Sequence, residues 1–179
     1  MIFLSEASVS AHKEYLRNLK LKLSIFEKSY PSLCGKDCRG ISRLKIDRQE
    51  REAALRLKGE ILAHELYFDS FGGTGIKSQS IASQYGSEAS FLYELFCECE
   101  QAKGDFLLAY TDERGKIKHV IENDLPRVFM SCTPILAVDL CEHAYFDDYR
   151  FDRSAYVKAA LSCLNLSKIE NAVANIKKR

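Results

Sequence analysis

The chain has no apolar run approaching the roughly 18 residues needed to cross a bilayer. Its N-terminus has no basic segment followed by a sustained apolar stretch. The first absence excludes a membrane-spanning helix, and the second argues against a secretory signal. Charge of one sign is not concentrated anywhere: 26 basic and 25 acidic residues leave a net +1 and no long block. A nucleic-acid partner would need a concentrated basic face, so none is expected. No C-x-x-C pair occurs among the seven cysteines. Cys34/Cys38 and Cys97/Cys99 are spaced C-x-x-x-C and C-x-C, which are not the usual pairs of a closed zinc site. Without a signal the thiols read as reduced, which gives a cytoplasmic expectation. Internal repeats and low-complexity segments are also absent.

What remains is a 179-residue chain, 46% apolar, with 10 Phe and 9 Tyr to fill a core. That length suits one large domain or two small packed ones. Val9, Leu16, Leu19, Leu23 and Phe26 recur at helical spacing and predict a long helix over about residues 4–28. Tyr30-Pro31 and Gly35 end it, and residues 34–40 read as a loop. A second long helix is expected over about residues 44–67, rich in Glu, Arg, Ala and Leu and free of proline. Gly72-Gly73-Thr74-Gly75 breaks it. A short helix at about 76–84 and another at about 87–102 follow.

After Gly104 the period changes. Phe106 to Thr111 reads as a strand, Asp112-Glu113-Arg114-Gly115 is a turn, and residues 117–121 return as the hairpin partner. Residues 135–139 form a third strand, and the remainder from Glu142 is helical. Ser167 and Glu170 are spaced as a capping box for the last helix. The order predicts an α+β fold: a helical hairpin over residues 1–72, then a domain over residues 73–179 with a small antiparallel sheet.

The most informative segment is Asp139-Leu140-Cys141-Glu142-His143-Ala144-Tyr145-Phe146. A carboxylate and an imidazole four residues apart, where a strand ends, can converge on one metal ion. The segment resembles the D-x-W-E-H-A-Y signature of the iron/manganese superoxide dismutases, with Cys141 in place of tryptophan. Further matches follow in order along the chain. Ala63-His64-Glu65-Leu66-Tyr67-Phe68 is similar to N-H-x-x-F-W, Tyr85-Gly86-Ser87 to F-G-S, and Thr133 to Asp139 to T-P-L-L-x-V-D. His12 to Leu19 resembles the second half of H-x-x-x-H-H-x-x-Y-V-x-N-L-N.

The resemblance implies a helical hairpin packed on an α/β domain with a three-stranded antiparallel sheet. It also implies metal ligation by His64, Asp139 and His143, and an outer-sphere relay role for Tyr15. Its first-helix ligand lies eight residues before the tyrosine, where this chain has Ala7. His12 matches a non-ligand histidine and is expected off the ligand direction. The metal set then counts three, with iron or manganese implied, zinc open as a variant, and an empty site open too.

Three supporting groups also differ. Glu60 stands where the family places a glutamine, Cys141 where it places tryptophan, and Phe146 where it places a gateway tyrosine. Glu142 matches the glutamate that reaches the partner's ligand histidine, so a homodimer through Glu142 and His143 is implied. The readings are a superoxide dismutase whose activity Ala7 weakens, a metalloprotein with changed redox chemistry, or a non-catalytic dimeric scaffold. His119 has no partner visible in the sequence and reads as structural.

Overall fold

The computed structural model describes residues 3–72 and 78–177. The expected break at residues 73–75 and the start of the short helix at residues 76 and 77 lie outside the described residues. Helix α1, Glu6–Ser29, begins where the Ser5 side chain accepts from the Ser8 N–H. This satisfies one of the donors that a helix start leaves free. A 3-10 turn, Pro31–Leu33, and a short helix α2, Cys38–Ser42, follow. The segment expected to be loop is therefore partly helical, because Asp37 caps it by accepting from the Gly40 N–H at 2.7 Å. Helix α3, Arg48–Asp69, is capped by Asp47, which accepts from the N–H groups of Gln49 and Glu50. Leu16, Leu19 and Leu23 of α1 pack against Ile61 of α3 and close the hairpin.

Helices α4, Gln79–Tyr85, and α5, Glu88–Gln101, lead into the sheet. Strands β1, Phe106–Thr111, β2, Ile117–Glu122, and β3, Pro134–Asp139, are ordered β2-β1-β3, and both pairings are antiparallel. The hairpin turn is pinned by Asp112, whose carboxylate accepts from the Arg114 and Lys116 N–H groups at 2.9 and 2.8 Å. Gly115 supplies the positive φ of 74° that the turn needs. Helix α6, Leu125–Ser131, between β2 and β3, was not legible as an element. The C-terminal part divides into α7, Glu142–Tyr149, α8, Arg153–Ser162, and α9, Ser167–Lys177. Glu170 of the expected capping box reaches across to α4, accepting from the Ser78 hydroxyl and the Ser80 N–H at 2.9 and 2.8 Å. Among the described residues no helix is long and apolar enough to cross a membrane.

The helical hairpin and the sheet share a core. Ala63 and Tyr67 of α3 pack in one cluster with Phe106 and Leu108 of β1 and Ala137 of β3. Fully buried Ser70 ties the end of α3 to β3: its Oγ donates to the Leu66 carbonyl and accepts from the Ala137 N–H at 2.8 Å. This junction fixes α3 relative to β3, the two elements that carry His64 and Asp139.

Gly59 sets how closely α3 approaches α6. A Cβ there would stand 2.8 Å from both Cδ and N of Pro126. Those atoms belong to a ring and a backbone and cannot swing aside. In an exposed helix, replacing Gly by Ala stabilises by about 1 kcal/mol. Here overpacking costs about 1–3 kcal/mol and outweighs that gain. We expect Gly59→Ala to destabilise by roughly 1–2 kcal/mol, lowering the thermal midpoint by about 2–8 °C. A midpoint unchanged or raised in a calorimetric scan would refute the close approach.

Candidate metal centre

Four segments deliver side chains to one point at the junction of α1, α3, β3 and α7. Asp139 ends β3 and is fully buried. Its Oδ1 accepts from the Cys141 N–H at 2.9 Å, which turns the chain from strand into α7. The Asp139 carbonyl accepts from the hydroxyl of buried Tyr156 at 2.7 Å. With Oδ1 and the backbone held, Oδ2 faces inward.

Around Oδ2 stand three imidazole nitrogens: Nε2 of His143 at 3.0 Å, of His12 at 3.1 Å and of His64 at 3.4 Å. His64 Nε2 and His143 Nε2 are 3.2 Å apart. Two ligands each roughly 2.1 Å from one ion stand about 3.0–3.4 Å apart at angles of 90–110°. The observed spacings fall on that interval. The contacts from His12 lie off hydrogen-bond geometry, so Asp139 Oδ2 and both His12 nitrogens are buried with no hydrogen-bond partner. Orphaned buried polar atoms are rare. An ion among these donors satisfies Oδ2 and the three Nε2 atoms together. Among the described residues, the set His12, His64, Asp139 and His143 fits a divalent first-row metal.

His64 shows how the chain prepares one ligand. Its Nδ1 lies 2.7 Å from the Glu60 carbonyl, one helical turn back. With Nδ1–H donating there, Nε2 carries the lone pair that points into the cluster. Burial lowers the His64 pKa, and the Asp139 charge only partly offsets this, so the ring is held neutral. For His143 burial also acts downward, but the Asp139 carboxylate beside it, with Glu60 and Asp105, wins and raises it. Burial alone would raise the Asp139 carboxyl. The close imidazoles of His12, then His143 and His64, instead hold it well below the usual carboxylate range.

The expectation that Ala7 leaves the set one histidine short is corrected here. Ala7 is exposed, and the fourth imidazole is that of His12, 1% exposed. The buried side of α1 runs through Ser8, His12, Leu16, Leu19 and Leu23. Five residues of helix separate Ala7 from His12, an angle of about 140°. Once the leucine stripe packs on α3, Ala7 must face away. The signal was in the sequence: four residues before Leu16 is His12.

Tyr15 sits at the mouth, 38% exposed, its ring 4.6 Å from that of His143 and 5.3 Å from that of His64. The Glu60 side chain lies beside its hydroxyl. Burial, then the negative charge of Glu60, raises the Tyr15 pKa, so the phenol keeps its proton. Glu60 is itself raised, by burial, against the pull of Tyr15 and Lys22. Cys141 is pushed well above its usual range by burial and then by Asp139, and stays a thiol. Phe146 lies edge-on to Phe151, ring centres 5.4 Å apart. Glu142 is exposed on α7, and the His143 side chain retains 34% exposure. The cluster is thus sealed on the His12 and Asp139 side and open past Tyr15 and His143.

Comparison with known proteins agrees with this architecture. Residues 74–172 match the family model described as iron/manganese superoxide dismutases, C-terminal domain. The chain is 32% identical over 118 residues to an iron superoxide dismutase of Cupriavidus metallidurans, covering 62% of this chain and 59% of that protein. It is 32% identical over 108 residues to a manganese superoxide dismutase of Halobacterium salinarum, covering 56% and 54% respectively. A manganese/iron superoxide dismutase of Rickettsia typhi is 29% identical over 164 residues, covering 84% of this chain and 73% of its own. The chain therefore spans little more than half the length of the first two relatives. The family-model match includes Asp139 and His143, while His12 and His64 precede it. A match over that length, which spans the sheet and the strand-to-helix turn at the cluster, places the chain in the iron/manganese superoxide dismutase family.

Proposed function

We propose that this chain is an oxidoreductase of the superoxide dismutase type, holding iron or manganese through His12, His64, Asp139 and His143. The observation that carries this is the buried, unpartnered Asp139 Oδ2 faced by three Nε2 atoms. Bound there, iron or manganese supplies one-electron exchange, so that two superoxide anions and two protons give dioxygen and hydrogen peroxide.

The chain's own part is exclusion and proton supply. His12 and Asp139 are closed to solvent, while Tyr15 and His143 stay partly exposed at the mouth. Tyr15 holds a proton at the mouth. When ionised, Glu60 can only accept, so the Tyr15 hydroxyl donates to Glu60 rather than inward. A glutamine at residue 60 would bring an N–H donor instead. With Cys141 and Phe146 also altered, the metal's potential and the relay differ from the family pattern the sequence resembles. The rate per metal is therefore expected to lie below the diffusional ceiling of about 10⁸–10⁹ M⁻¹s⁻¹.

The protein acts in the cytoplasm, its seven cysteines reduced. It works as a homodimer through Glu142 and His143. The test is elemental analysis of protein purified without added metal, followed by superoxide consumption per bound metal. About one equivalent of iron or manganese at this centre, with consumption proportional to it, is expected. Full loading without consumption would favour a metalloprotein of changed chemistry, and no metal at all would favour the scaffold.

A further inference from the structure

A second convergence of metal-binding side chains lies on the outer face of the C-terminal half, away from the central cluster. Glu94 and Glu98 are one helical turn apart on α5 and point the same way. His119 of β2 faces them, its Nε2 2.8 Å from Glu98 Oε2 and 3.9 Å from Glu94 Oε1. The three ligand atoms all lie within 4.8 Å of one another. His119 was expected to be a structural residue without a partner, and the fold gives it two.

Two features distinguish this group from a solvated acidic face. The first is the imidazole. Its side chain is nine-tenths buried, with Nε2 aimed at the two carboxylates, and the ring lies edge-on to Phe91. The second is charge. Like charges four apart on a helix repel, and no Lys or Arg is ion-paired to Glu94 or Glu98 among the described residues. Their combined field reaches Tyr85, whose pKa is raised by burial and then by Glu94 and Glu98. A divalent cation removes the repulsion and uses the lone pair of His119. Both glutamates are about half exposed, at 49% and 46%, so their carboxylates can close on an ion without backbone movement.

We propose that Glu94, Glu98 and His119 form a second metal site, one that takes Zn²⁺ and clips α5 to the β1–β2 hairpin. One imidazole and two carboxylates suit zinc, and imidazole favours it over magnesium or calcium. Three ligands leave the remaining position to water. Helix and strand are already packed together, so the ion holds them without reorganising either.

The test is a zinc titration of the full chain in competition with a chromophoric chelator. Wild type is compared with Glu94→Gln/Glu98→Gln and, independently, with His119→Asn. Wild type should take up one more equivalent than either variant, and the visible Co²⁺ spectrum should lose one component in both variants. Equal stoichiometry and equal Co²⁺ spectra in all three chains would overturn the proposal. All three chains keep the central cluster. An equivalent missing from every one of them therefore counts against the central reading and leaves the difference intact.

Discussion

His12→Ala is expected to empty the central site, and Ala7→His is expected to change nothing there. His12 is one of three imidazoles within 3.4 Å of Asp139 Oδ2, and it comes from the helix opposite the sheet. Its loss leaves a gap in the buried part of the ligand set. Losing an outer partner of a ligand typically lowers metal affinity about 10–100-fold, and losing the ligand itself should exceed that. Ala7 is exposed, about 140° around α1 from His12 by helical geometry, so a histidine there meets solvent. The measurement is iron and manganese content after equal loading, together with dissociation constants from chelator competition. The decisive chain is the double variant His12→Ala/Ala7→His. If it recovered wild-type metal content, Ala7 would face the cluster and the placement of α1 described here would be wrong.

That contrast also shows what could be read from the residues and what needed the fold. The strands were legible almost to the residue, because Phe106 to Thr111 and Ile117 to Glu122 flank a turn that Asp112 and Gly115 dictate. The two long helices were legible from the Leu16, Leu19, Leu23 stripe and from a proline-free stretch. His64, Asp139 and His143 were reached through the motifs around them, and the structure brings their ligand atoms together. At His12 the register of the family motif and the hydrophobic phase of α1 disagree. The phase decides which side of α1 is buried, since the leucines cannot leave the core. Helix α6 is not legible because Leu125 to Ser131 is too short for a period to show, and its start depends on Asp124 accepting from the Arg127 N–H. His119 was read as alone because its partners lie 21 and 25 residues earlier, on a helix whose facing only the packed hairpin defines.

Removing metal should lower the melting temperature sharply, and Asp139→Asn should abolish the difference. The four proposed ligands come from α1, α3, the end of β3 and the start of α7. One ion therefore ties the helical hairpin to the sheet, and the unfolded chain offers no such preformed set. Binding to the folded state alone stabilises it by about 4 kcal/mol when free metal is 1,000 times its dissociation constant. For a chain of this size that corresponds to roughly 8–16 °C in thermal midpoint.

Asn at residue 139 keeps an oxygen for the Cys141 N–H and so preserves the turn into α7, but it takes away the buried negative charge that draws the cation. Acidity should work in the same direction. The His143 pKa is raised in the metal-free protein, so a proton held there competes with the ion. The metal-dependent stabilisation should then be complete at higher pH. It should fade as pH drops, starting above the free-imidazole value of about 6.5. Calorimetric scans of loaded and chelator-stripped protein, wild type and Asp139→Asn, at several pH values provide the comparison. A wild-type midpoint indifferent to stripping would sink the idea that an ion joins these four segments, as would an Asp139→Asn protein that still gains the full shift on loading.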